Sequence, residues 1–200
     1  MTTTSHAAGH EHGLSLEDSL DFLNTHTLAG GQLVDRLERP ADASDWFVEH
    51  GVVHDPGARP WTTADLDRVR RVRDALREVV DSVVEQRPPR GDAMDQTNLA
   101  IAGGLVPVIE VDGSDVRVGH RHAASSVDEA LAALAAPIVG ELQSGRPERF
   151  RTCANDTCRW TFFDTSPTGR RRWCDMKICG NRAKASRHRQ RIRLETAPPA

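Results

Sequence analysis

The chain of 200 residues carries 26 Lys+Arg, 29 Asp+Glu and a formal net charge of -3, and 38% of it is hydrophobic. That suits one ordinary domain with a small appendix, or two small domains, with enough apolar content for a buried core. No run approaches the roughly 20 apolar residues of a membrane-spanning helix, so membrane insertion is not expected. Nor do the first residues show a signal-peptide pattern, and a reducing cytoplasm is the expected compartment. The charge is unevenly spread: Arg149 to Arg193 holds thirteen Lys/Arg against Asp156, Asp164 and Asp175, a net of +10, and the remainder is at -13. Such asymmetry suggests a basic, nucleic-acid-facing module attached to an acidic globular part.

In chain order, residues 1–13 read as a disordered tail, with His6, His10 and His12 solvated rather than ligating. Leu16, Leu20, Leu23 and Thr27 recur at helical spacing and predict a helix over 14–28, broken by Gly30-Gly31. A short helix is expected over 44–50, capped by Asp42 or Ser44 and packing through Trp46 and Phe47. Thr62 or Thr63 opens the strongest helix, ending near Gln86, on a stripe of Leu66, Val69, Val72, Leu76, Val79, Val80 and Val83. Its arginines, Arg68, Arg70, Arg71, Arg73 and Arg77, are interspersed with acids and read as a solvated face. Pro88-Pro89 and Gly91 end it. A helix over 92–102 leads to two short strands, 106–111 and 116–120, around the hairpin signal Asp112-Gly113. Ser125 or Ser126 caps a helix over 127–143 with Leu131, Leu134, Ile138 and Leu142 inward, kinked or split at Pro137. Ser144 to Pro147 reads as a domain boundary.

All four cysteines lie beyond that boundary, as Cys153-x4-Cys158 and Cys174-x4-Cys179 with fifteen residues between the pairs. Paired thiols at this spacing, in a segment too short to build its own core, point to a tetrahedral Zn2+ held by four thiolates rather than to a disulfide. Four thiolates leave no open coordination position, so the metal is expected to be structural. Arg159 to Asp164 reads as a strand and Thr165 to Gly169 as a turn, with Arg170-Arg171-Arg172-Trp173 leading back to the second pair. Trp160, Phe162, Phe163 and Trp173 are expected to wrap the metal as a small core; base stacking is the other reading. After Asn181, able to cap, a helix runs from Ala183 to Arg193, with Ala185, His188 and Ile192 as a seam against the module. Few acids neutralise its cations. Like charges four apart repel on a free helix, and a polyanion turns that repulsion into attraction.

The two cysteine pairs, Trp173-Cys174, the run Cys179-Gly180-Asn181-Arg182 and the Ala183-Lys184 after it resemble the CGNR zinc finger, over about 149–193. Upstream, Leu20-Asp21-Phe22-Leu23-Asn24-Thr25 looks like the opening signature of the ABATE domain, which in many bacterial proteins precedes that finger. The resemblance implies a transcription regulator with tails over 1–13 and 194–200, a domain over 14–145 that senses a small molecule, and a finger over 149–193. It also implies that Asp21, Asn24 and Thr25 line the effector pocket; capping or tying the helix end is the alternative. The expected fold class is α+β: a mostly helical N-terminal domain with a small β-hairpin, then a four-cysteine zinc-ribbon-like module and a basic C-terminal helix.

The leading expectation is a zinc-dependent DNA-binding regulator. Arg170, Arg171 and Arg172 would sit on flanking phosphates, and Arg182, Lys184, Arg187, Arg189 and Arg191 are the candidates on the docked helix. A basic helix alone does not choose DNA over RNA. Asn181 and Arg182 have structural roles equally open to them: capping for the first, pairing with Asp164 or the knuckle carbonyls for the second. The second reading is a protein–protein or dimerisation module, a homodimer included, whose basic face meets an acidic partner or the chain's own acidic part. No enzyme is expected, because the chain has no Gly-rich phosphate loop, nucleophile elbow or paired-acid motif. His120-x-His122 would share one strand face and reads as solvated. Thiolate oxidation that ejects the zinc is a further reading.

Overall fold

The computed structural model describes residues 14–53, 60–102, 107–113, 115–120 and 127–195. The tail over 1–13, the caps Ser125 and Ser126, His122 and residues 196–200 lie outside them.

Reciprocal caps start two of the helices. Ser15 and Asp18 form a capping box, Ser15 N–H donating to Asp18 Oδ2 at 2.9 Å, and open α1, Leu16–Leu23. This is shorter than the helix expected over 14–28. Gly30 and Gly31 both have positive φ, 64° and 91°, the backbone of a two-residue turn whose twist matches paired strands. Residues on either side therefore fold as a hairpin, with β1 (His26–Ala29) antiparallel to β2 (Gln32–Asp35) and Thr27 opposite Val34. α2 spans Pro40–Glu49 and starts earlier than expected, because Pro40 occupies the first turn and Asp42 accepts the Arg39 N–H at 2.8 Å.

A second capping box, Thr62 with Asp65, opens α3, Thr63–Val84. α4 (Gly91–Ala102) leads to the antiparallel pair β3 (Pro107–Asp112) and β4 (Asp115–His120). α5, Val127–Gln143, continues through Pro137 as one helix. Phe22, Leu23, Leu37, Phe47, Val69, Val72, Leu76, Leu131, Leu134 and Ile138 are fully buried between α1, α2, α3 and α5. Each large side chain so buried contributes about 1.5–3 kcal/mol.

The arginine face of α3 is not the solvated one the charge pattern suggests. Arg73 is 1% exposed; its guanidinium forks onto Asp35 at 2.7 and 2.9 Å, and it also donates to Asp74 (3.0 Å) and Thr25 Oγ1 (3.3 Å). Arg70 donates to the Leu37 carbonyl at 2.9 Å, and Arg77 to Asp81 and to the Arg159 carbonyl, the latter at 2.8 Å. Burying a guanidinium is tolerable only with such partners, and two of them, Asp35 of β2 and the Arg159 carbonyl of the cysteine-bearing segment, lie far off in sequence.

That segment begins with β5 (Phe150–Thr152), paired antiparallel with β6 (Thr161–Phe163). β6 lies inside the strand expected over 159–164, whereas its partner precedes the first cysteine pair. Phe150 is 1% exposed, belongs to the main core and meets Phe163 edge-on at 5.2 Å. The cysteine module is thus rooted in the helical core through its own hairpin. The chain continues into α6, Asn181–Glu195. The architecture is α+β, helices with three two-stranded hairpins among the described residues.

Candidate metal centre and basic helix

β5 and β6 bring the first cysteine pair into position. Cys153 N–H donates to the Trp160 carbonyl (2.8 Å), and Cys158 N–H to the Asn155 carbonyl (2.8 Å). Arg159 then adopts positive φ, 56°, to turn the chain into β6. The second pair is held by a wide helical turn, Met176–Gly180, in which the Asp175 carbonyl accepts the N–H groups of Cys179 and Gly180. Asp175 Oδ1 accepts the Ile178 N–H at 2.7 Å. Asp175 is therefore the cap of the last helical stretch, and Asn181, expected to cap, lies inside it. The two halves are tied by Ala154 N–H to the Arg172 carbonyl at 2.8 Å.

The four Sγ atoms of Cys153, Cys158, Cys174 and Cys179 all lie within 4.8 Å of one another. Cys158 to Cys174 and Cys174 to Cys179 are each 3.7 Å apart. Four sulfurs about 2.3 Å from a central Zn2+ would be about 3.8 Å apart along each tetrahedral edge, whereas a disulfide needs about 2.05 Å. The donor set and spacing therefore fit zinc. Burial pushes the Cys158 thiol up to about 11 and the Cys174 thiol higher still, whereas at Cys179 burial is outweighed by hydrogen bonds from Asn155 and the neighbouring thiols, which lower it. Trp160, Phe162 and Trp173 pack around the sulfurs as a second, small core.

Asp164 closes the turn between the pairs. It is fully buried, and its carboxylate accepts the Ser166 N–H (2.9 Å) and the Arg171 N–H (2.8 Å). Burial opposes its charge, but these hydrogen bonds outweigh it and hold the carboxyl below the usual range. Its partners do not include Arg182, which had been one candidate. Arg149 spans the same turn, donating to the carbonyls of Asp164 and Ser166.

The three arginines expected on phosphates do different things. Arg171 is turned onto its own module: it donates to the carbonyls of Trp173 and Cys174 and lies over the Phe162 ring at 5.0 Å. Arg170 is exposed, and Arg172 lies over Trp173 at 5.2 Å. On α6, Arg182, Lys184, Arg187, Arg189 and Arg191 are all exposed. So are Ala185, His188 and Ile192, so the expected seam does not rest on the module. Arg182, Lys184, Arg187 and Arg189 form no ion pair with a carboxylate among the described residues.

Of the trio expected to line an effector pocket, Asn24 is 2% exposed and both ends of its carboxamide are spent on one peptide unit. Its Nδ2 donates to the Thr161 carbonyl and its Oδ1 accepts the Thr161 N–H, each at 2.9 Å. Thr25, fully buried, donates to the Phe22 carbonyl at 2.7 Å. Asp21 is half-buried, and burial followed by repulsion from Glu17 raises its carboxyl. Sequence reasoning passed over Arg36 and the whole β1–β2 hairpin, and placed Thr27 on a helix. Thr27 Oγ1 donates to the Cys158 carbonyl at 3.0 Å, and Gly31 N–H to the Thr157 carbonyl at 3.2 Å. The Gly-Gly dipeptide was the available signal for that hairpin.

A four-sulfur centre launching an exposed cationic helix defines the zinc-finger class of module. Residues 149–192 match the family model described as "CGNR zinc finger". Residues 18–145 match the ABATE model, described as "Putative stress-induced transcription regulator", and the chain belongs to that family. A search of curated proteins finds no match. Among the described residues no helix is long and apolar enough to cross a membrane.

Proposed function

We propose that this protein is a cytoplasmic, zinc-dependent DNA-binding transcription regulator, without enzymatic activity, whose N-terminal part senses a small molecule. The observation that carries the reading is α6. From Lys184 to Ile192 every residue is exposed, and from Asn181 to Arg193 there are six cations and no acid. A short helix with six cations, a single acid at its last residue, Glu195, and no buried stripe among the described residues is poorly stable alone, and a phosphate backbone supplies what it lacks. The four thiolates would hold Zn2+ as a structural centre that fixes where α6 starts. Arg170, Arg172 and the α6 cations Arg182, Lys184, Arg187, Arg189 and Arg191 are the proposed DNA contacts.

Fluorescence anisotropy with labelled duplex DNA tests this directly. The zinc-loaded full-length protein should bind, and chelation should abolish binding. Arg187→Glu with Arg189→Glu should weaken it at least about tenfold, equivalent to about 1.4 kcal/mol. Undiminished binding by the double variant would exclude α6 as the docking element. Single-stranded RNA bound more tightly than duplex DNA would favour the RNA reading.

A further inference from the structure

A cavity of about 300 Å³ lies where α1 packs on β6, at the small end of the roughly 300–1,000 Å³ usual for small-ligand sites. Leu16 and Leu20 of α1 line it together with Trp160, Phe162 and Phe163 of the cysteine module. So do two carboxylates, Glu17 and Asp21, which stand four residues apart and therefore on one face of α1. Neither is in a hydrogen bond or ion pair among the described residues. Burial and the Glu17 charge raise the Asp21 carboxyl, although His50 and Arg36 oppose them. Thr161 also lines the cavity; it is 1% exposed, and its hydroxyl has no hydrogen-bond partner among the described residues. Buried hydroxyls are nearly always paired, and a ligand in the cavity would complete this one.

The charge balance of this lining is negative. Arg171 is its cation, and that guanidinium is spent on the Trp173 and Cys174 carbonyls. The metal centre touches the cavity at Cys174. Zn2+ held by four thiolates is itself net anionic, so metal loading adds to the negative field instead of cancelling it. We propose that this cavity binds a small organic ammonium, a protonated primary amine on an aromatic or branched aliphatic body. An ammonium has three N–H donors, which match the two carboxylates and the Thr161 hydroxyl, and the walls bury the apolar body. An anion would meet Glu17 and Asp21 instead. The occupant touches α1 on one side and β6 on the other, so binding strengthens the joint between the helical core and the cysteine module. The site and the ligand class stand on the cavity; that the occupant is the sensed effector rests on the function proposed above.

The test titrates zinc-loaded, full-length protein in a calorimeter with three probes that share an indole body. Tryptamine is a cation at neutral pH, tryptophol is neutral and indole-3-propionate is an anion. Tryptamine should bind once per chain, about tenfold or more tighter than tryptophol, a gap of about 1.4 kcal/mol, and the propionate should bind most weakly. Glu17→Gln with Asp21→Asn should erase the preference for the cation. Leu16→Trp, which fills the cavity from a half-buried position, should abolish binding of tryptamine and tryptophol alike. Asp95→Asn, an exposed carboxylate on α4 outside the lining, should change nothing. Zinc content and circular dichroism confirm that the variants fold. Equal affinity for tryptamine and tryptophol, or a preference for tryptamine that survives loss of both carboxylates, overturns the site. If tryptamine binds as stated but saturation leaves DNA affinity unaltered, the site stands and its role as the effector site falls. If the protein binds no DNA at all, the function proposed above falls while tryptamine binding still decides the site.

Discussion

Asn24 spends both ends of its carboxamide on the single peptide unit of Thr161, 137 positions away in the chain. Asn24→Ala leaves a buried N–H and C=O without that partner, and each such group costs about 1–3 kcal/mol. Denaturant unfolding of the zinc-loaded protein should show a loss of about 2–6 kcal/mol on that basis. A loss under about 0.5 kcal/mol, the range of surface substitutions, would mean the tie is not formed. Asp35 makes a second prediction. Burial opposes its charge, but hydrogen bonds from Arg73 and the Leu37 N–H outweigh it and lower its pKa. A depressed carboxyl contributes stability that is fully present above its unfolded value of about 3.9 and is lost as pH falls through the folded value. The stability gap between wild type and Asp35→Asn should be widest at neutral pH and close as pH falls below about 4. A gap of constant size across that range contradicts the Arg73–Asp35 pairing. Neither contact is legible from the sequence. Asn24 looks like a helix-end residue and Arg73 like one of several surface arginines, because their partners are set by tertiary packing. The cysteines are legible because ligand spacing is local and a thiol has few other uses in pairs.

At the level of elements, α6 and the first hairpin behave oppositely. α6 is a helix by composition, and its cations repel one another wherever no anion is near. Far-ultraviolet circular dichroism should therefore show helicity rising when duplex DNA is added to the zinc-loaded protein, and more so at low salt. No change in helicity would mean that α6 is held by something other than its ligand. The β1–β2 hairpin is short, yet it reaches the Cys158 knuckle through Thr27 and Gly31. Its apolar spacing imitates a helix over 14–28, and the two positive-φ glycines decide against it. α3, by contrast, is read correctly from a long apolar stripe, since 22 residues give periodicity enough repeats to be unambiguous. Caps are unevenly legible: Thr62 opens α3 as expected, and the cap ahead of α6 does not follow the sequence. Asp175 rather than Asn181 accepts the free N–H groups, because the turn that presents them is set by where both cysteines of the second pair must point.

For the whole molecule, the sulfur centre and the helical core are mechanically continuous. Phe150 is buried in the main core, Thr161 is held by Asn24, and Arg77 reaches the Arg159 carbonyl. Metal binding to such a module contributes directly to folding free energy. Chelation should therefore lower the thermal midpoint of the entire protein in one transition, not melt the C-terminal segment alone. Two well-separated transitions would mean the tie between the parts is weak. The basic and acidic halves legible in the charge pattern are thus not independent units joined by a linker. The α6 cations Arg182, Lys184, Arg187 and Arg189 stay clear of the acidic half's carboxylates among the described residues, and remain available to an external polyanion.

The salt dependence of DNA binding by the zinc-loaded full-length protein tests that availability most directly. If about six phosphates are neutralised by α6 and its neighbours, log K against log salt should fall with a slope near about -5, and Arg187→Gln should reduce that slope by about 0.9. A slope close to zero, or one unchanged when α6 cations are removed, would contradict the account.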